Sequence, residues 1–135
     1  MNGKEKLRSN NFLFDTNIFI YYLNAEPHVE ELFSRDFQST NNIYYSVVTE
    51  IELLSFPRLN EEENRIIKGL LEKLLPISLT EVVKEKTIEI KKNFKIGIAD
   101  AIIAASAIVL NASLITRDEP GFNKIKEIYL INPFT

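Results

Sequence analysis

Short apolar stretches that run straight into a single acid constrain this chain more than any other feature. Phe12-Leu13-Phe14 leads into Asp15, and Ser113-Leu114-Ile115-Thr116 leads into Arg117-Asp118. Both read as brief buried strands that end on a carboxylate. Asp100 stands inside the apolar run 96–105, and Glu52 lies between Ile51 and Leu53-Leu54. An unpaired charge in apolar surroundings costs several kcal/mol, so a fold keeps one there only when it is paired or ligated. The four acids are therefore expected at the rim of a core, aimed into a cleft. Too few basic residues lie nearby in sequence to neutralise all of them, which makes a hard divalent ion, Mg2+ or Mn2+, the economical counter-charge.

With 135 residues, 45% of them hydrophobic, the chain suffices for one compact core and not for two ordinary domains, so 1–135 is read as a single domain. Residues 1–11 are polar and mildly basic, lack the apolar core of a secretory signal, and are expected to form a frayed leader. The longest apolar run, 96–110, is interrupted by Asp100 and Ser106 and falls short of the ~18 apolar residues of a membrane span. It reads as a buried helix. The chain has no cysteine, which excludes disulfides, zinc–thiolate sites and thiol nucleophiles and permits an intracellular address. A cytoplasmic location without membrane attachment is expected.

The net charge of −3 argues against a generic basic nucleic-acid binder. Lys84, Lys86, Lys91, Lys92 and Lys95 crowd one segment, but they alternate with Glu81, Glu85 and Glu89 at the spacing of a solvated helix face. His28, the only histidine, reads as a surface helix residue, so no Ser-His-Asp set is available. The glycines, Gly3, Gly69, Gly97 and Gly121, are too scattered for a phosphate-cradling loop. Tyr21, Tyr22, Tyr44, Tyr45 and the phenylalanines fall at core-like positions and read as packing.

Periodicity predicts a strand over 12–15, a helix from 16 or 17 to 23, and a second helix over 27–37 that begins with Pro27. A strand follows over 43–45. Ser46 or Thr49 is expected to cap the helix that carries Glu50 and Glu52, and Pro57 to stop it. Residues 61–75 form a strongly amphipathic helix ended by Pro76, and 77–79 a short strand. Helices over 81–93 and 98–110 precede strands over 113–116 and 128–131, the last two joined by a loop through Glu119-Pro120-Gly121. Strands alternating with helices imply a parallel sheet flanked on both faces. Ligands of such sheets bind beyond the carboxyl ends of the strands. Asp15 and Asp118 terminate strands, while Glu52 and Asp100 lie in the first or second turn of helices near that edge, so all four can converge. Asp15 equally suits the N-cap of the helix after it.

The segments Phe14-Asp15-Thr16-Asn17, Ser46-Val47-Val48-Thr49-Glu50-Ile51-Glu52-Leu53, Ile98-Ala99-Asp100-Ala101-Ile102-Ile103-Ala104-Ala105 and Leu114-Ile115-Thr116-Arg117-Asp118, in that order, resemble a PIN domain. More narrowly, they resemble the VapC-type ribonuclease toxins of toxin–antitoxin pairs, over about 12–131. The resemblance implies a three-layer α/β sandwich whose central, mainly parallel sheet is flanked by helices. It also implies a Mg2+- or Mn2+-dependent endoribonuclease. Asp15, Glu52, Asp100 and Asp118 would form its catalytic, metal-binding quartet, and Thr16, Asn17, Ser46 and Thr116 the supporting polar positions. It implies an RNA substrate cut by metal-activated water to leave a 5′-phosphate and a 3′-hydroxyl, a homodimer, and a cognate antitoxin whose tail lies across the active site. Glu50 competes with Glu52, which is preferred on the Glu-Leu step. Glu119-Pro120-Gly121-Phe122 departs from the commoner acidic pair before phenylalanine, so no fifth acid is assigned. The alternative function is a catalytically inactive PIN-like module that binds a protein partner or RNA, which suits a chain too acidic to act as an RNA clamp on its own.

Overall fold

The computed structural model describes residues 10–135. The leader expected over 1–11 lies outside them except at its end, where the Asn10 carbonyl accepts the Asn42 amide (2.8 Å) and Asn11 opens the first strand. The elements run β1 Asn11–Phe14, α1 Thr16–Leu23, α2 Pro27–Glu30, a 3-10 turn Glu31–Phe33, α3 Arg35–Thr40, β2 Asn42–Ser46, α4 Val47–Leu54 and α5 Glu61–Glu72. They continue with β3 Leu75–Ile77, α6 Glu81–Asn93, α7 Ile98–Val109, β4 Ser113–Ile115, α8 Glu119–Phe122 and β5 Tyr129–Ile131.

The strands form one sheet in the order β3-β2-β1-β4-β5, and every pairing is parallel. Alternate side chains of a strand point to opposite faces. Leu13 and Leu114 pack with Val83, Ile90, Ala101 and Ala104 of α6 and α7, whereas Phe14 and Ile115 pack with Ile18, Phe19, Phe33, Leu53 and Leu71 on the other face. Helices thus cover both sides of the sheet, as its near-continuous apolar strands require. The chain lays β1, β2 and β3 outward on one side and then returns to place β4 on the other side of β1. Strand order therefore reverses between β1 and β4, which opens a crevice at their carboxyl ends.

Several local expectations change. The helix expected over 27–37 breaks at Ser34, whose backbone is extended (φ −72°, ψ 157°) and whose hydroxyl caps the Phe37 amide at 3.1 Å. A serine offers the backbone this alternative to continuing a helix. The helix expected over 61–75 stops at Glu72, and the following strand is Leu75–Ile77 rather than 77–79. Pro76 is tolerated there because β3 is an edge strand with a single neighbour. Ser46, not Thr49, caps α4, which already ends at Leu54, before Pro57. The loop after β4 contains the short helix α8.

Candidate active site at the strand-order reversal

Register brings the first residues together. Phe14 of β1 pairs with Ile115 of β4, so Asp15 and Thr116 leave the sheet side by side. The Asp15 amide donates to the Ile115 carbonyl at 3.0 Å. One carboxylate oxygen of Asp15 accepts the Thr16 amide (2.8 Å), which caps α1, and the other accepts the Thr116 hydroxyl (2.9 Å). The same Thr116 hydroxyl accepts the Asp118 amide at 3.0 Å, and Asp118 accepts the Gly121 amide at 3.2 Å. On the other side, the Thr16 hydroxyl donates to Glu52 Oε1 (2.7 Å) and lies 2.8 Å from the Thr49 hydroxyl. Since Thr16 has one hydroxyl proton and gives it to Glu52, Thr49 is the donor of that pair. The result is an arc of hydrogen bonds that runs from Glu52 through Thr16, Asp15 and Thr116 to Asp118.

Asp100, in the first turn of α7 and half-buried, joins the arc through charge. Asp15 is 6% exposed. Its pKa is pushed up to about 6, chiefly by burial and further by the charges of Asp100 and Asp118, against the opposing bonds from Thr116 and Thr16. Burial also pushes Asp100 up, and Asp118 and Glu52 add to the effect. No basic side chain is among these influences. Among the described residues the ion pairs lie elsewhere, joining Lys84 to Glu81, Lys86 to Glu89 and Glu127, and His28 to Glu26.

An all-oxygen donor set whose mutual repulsion raises its own proton affinity suits a hard divalent cation. Among the described residues no three carboxylates are yet gathered as a finished metal cage, so binding would include drawing them inward.

The four acids, expected at the rim of the core, are unequally buried: Asp15 is buried and Asp100 half-buried, but Glu52 and Asp118 are exposed. Ile51 and Ile98, 59% and 60% exposed, do not shield Glu52 and Asp100 as apolar flanks were expected to. Glu50 acts on Tyr45 rather than on the arc. Asn17 is exposed and Ser46 is buried, capping α4 through the Val48 amide (3.1 Å); among the described residues neither hydrogen-bonds a quartet member. Sequence reasoning missed two residues. Thr49 was weighed only as a helix cap, and nothing local signals its partner 33 residues away. At Gly121 an added Cβ would lie 2.4 Å from an Asp118 carboxylate oxygen, so any larger residue would displace that carboxylate from its present position. The Pro120-Gly121 step was its one signal.

The fold is thus a parallel α/β sandwich with a group of carboxylates beside the point where its strand order reverses. The family model of the PIN domain matches residues 12–128, and the chain belongs to that family. No curated protein matches it by sequence. Among solved structures it is similar to VapBC-1 from nontypeable Haemophilus influenzae, at 27% identity and a TM-score of 0.76 over 93% of this chain and 99% of that one. It is similar to VapBC2 from Rickettsia felis, solved bound to a DNA fragment from its promoter, at 25% identity and a TM-score of 0.78 over 90% and 98% of the two chains. A toxin–antitoxin complex from Klebsiella pneumoniae shares the fold at 22% identity, with a TM-score of 0.74 over 90% and 96%. Among the described residues no helix is long and apolar enough to cross a membrane.

Proposed function

We propose that the chain is a Mg2+- or Mn2+-dependent endoribonuclease, the toxin of a VapBC-type pair, acting on RNA in the cytoplasm as a homodimer that a cognate antitoxin silences. The observation that carries this reading is the arc from Glu52 to Asp118, joined by Asp100 and without a basic partner among the described residues, at the switch point of the sheet. Membership of the PIN family and the likeness to VapBC structures support it.

Asp15, Glu52, Asp100 and Asp118 would hold the ion. When bound, a divalent ion supplies positive charge at the scissile phosphate and lowers the pKa of the attacking water. Thr16 and Thr116 fix the orientation of the Asp15 and Glu52 carboxylates by hydrogen bonds, and Thr116 holds the backbone of Asp118, the role that outer groups play around metal sites. Near neutrality Asp15 keeps part of its proton until a cation is present, because its pKa is about 6. Asn17, exposed on the first turn of α1, is available to the substrate, and Ser46 acts through the start of the helix that carries Glu52.

Asp100→Asn should lower Mn2+-dependent cutting of RNA by roughly a hundredfold or more, with an unchanged circular dichroism spectrum. Full activity in that variant overturns the reading. The second reading, a non-catalytic module, is favoured by the net charge of −3 and by the open spacing of the carboxylates. Wild-type protein that binds RNA or a protein partner yet cuts nothing at millimolar Mn2+ supports it.

A further inference from the structure

Arg117 stands in the chain between Thr116 and Asp118 of the arc, but its guanidinium is engaged elsewhere. It lies 4.0 Å from the centroid of the Phe134 ring and 5.5 Å from that of Tyr21, and it donates one long hydrogen bond, 3.4 Å, to the Tyr21 hydroxyl. Phe134 is itself held: it stacks on His28 at 4.7 Å and meets Tyr21 edge-on at 5.0 Å. Its amide donates to Asn132 (2.9 Å), and the Asn132 side chain donates to Glu119 (2.8 Å). Aromatic faces thus fix a guanidinium whose edge stays open.

Guanidinium carries five N–H donors, of which one is used among the described residues. Arg117 is exposed, and among the described residues it forms no ion pair; the nearby Glu26 carboxylate is bonded to His28. A ring-stacked arginine keeps its planar fork free for two parallel bonds to a phosphate. Its position suits one. Tyr21 follows Asn17 by one turn of α1, about 6 Å along the helix axis, and Asn17 follows Asp15 by two residues. The guanidinium therefore sits beside the carboxylates, about 9 Å along α1 from Asp15, and not among them, and the carboxylates by themselves repel a polyanion.

The geometry points to Arg117 as the group that grips an RNA backbone phosphate flanking the one to be cut, with Phe134 and Tyr21 holding its guanidinium in place. This rests on the nuclease reading above. An acidic segment of a protein partner could meet the same fork, but an arginine beside the carboxylate arc answers first to the substrate those carboxylates would act on.

The test uses a fluorescein-labelled single-stranded RNA of mixed sequence. Binding is followed by anisotropy in the Asp100→Asn background with MnCl2, and cleavage in the wild-type background. Arg117→Ala should weaken binding and raise KM about tenfold, with kcat within about twofold. It should also flatten the dependence of log Kd on log salt by about 0.7, the share of one phosphate contact. Arg117→Lys should restore that slope but only part of the affinity. Phe134→Leu, melting like wild type, should fall between. Unchanged Kd and salt slope in Arg117→Ala overturn the inference while cleavage leaves the nuclease reading intact. RNA binding indifferent to Arg117 beside Arg117-dependent binding of a polyglutamate peptide overturns it in favour of a protein partner. Arg117-dependent binding without any cutting by wild type sinks the nuclease reading and leaves the phosphate grip standing.

Discussion

Asp15 caps α1 and faces the crevice at once, and the two positions pull its proton affinity in opposite directions. The Thr116 hydroxyl and the Thr16 amide favour the carboxylate, whereas burial and the charges of Asp100 and Asp118 favour the acid and prevail, giving a pKa of about 6 against 3.8 for the free group. The folded state thus holds the proton more tightly than the unfolded state. In metal-free protein the ionised carboxylate costs stability, fully so above pH 6, and the cost fades as pH falls from 6 toward 3.8. The shift corresponds to at most ~3 kcal/mol. Asp15→Asn keeps an acceptor for the Thr16 amide and should stabilise the metal-free protein by about 1–3 kcal/mol at pH 7.5 and by almost nothing at pH 4. Urea denaturation in EDTA at the two pH values checks this, and an equal effect at both contradicts it. The place of Asp15 at a strand end in the candidate site was legible because strand, acid and hydroxyl are adjacent in sequence. Thr49 and Gly121 were not, since one acts across elements and the other by lacking a Cβ.

Helix ends show how far local chemistry carries. After α1, the Ala25 amide bonds the Tyr22 carbonyl (2.9 Å) and the Glu26 amide the Tyr21 carbonyl (3.0 Å), the paired bonds of a Schellman motif. After α7, Asn111 and Ala112 repeat the pattern on Ile108 and Ala107. The motif requires a left-handed residue, and Ala25 (φ 61°) and Asn111 (φ 52°) supply it. Asparagine tolerates that conformation, whereas the Cβ of alanine is crowded there. Ala25→Gly should therefore stabilise the protein by about 0.5 kcal/mol, opposite in sign to the same change inside a helix, as the urea midpoint would show. Most element types were readable from periodicity and caps. The breaks at Ser34 and Glu72 were not, because a serine caps or continues a helix and a proline joins a strand according to what packs beside it.

For the molecule as a whole, the parallel order that reverses between β1 and β4 brings residues 101 positions apart, Asp15 and Thr116, into one hydrogen bond. Ion binding there should tie folding to metal. Mn2+ at ten times its Kd contributes about 1.4 kcal/mol, a rise of roughly 4 °C in Tm. Asp100→Asn should lose most of that rise, which differential scanning fluorimetry with and without MnCl2 measures; a wild-type Tm indifferent to Mn2+ counts against a metal site.

The amino-acid sequence by itself determined that apolar strands end on acids, that helices separate them, and that the layers form around a parallel sheet. These follow from side-chain periodicity, capping chemistry and the cost of stranding a charge, all local in the chain. Only the tertiary structure decided the strand order, the hydrogen bond of Glu52 to Thr16, the exposure of Glu52 and Asp118, and the seating of Arg117 on Phe134 and Tyr21. Those depend on which distant segments pack together, and packing is settled by the shape of the whole core.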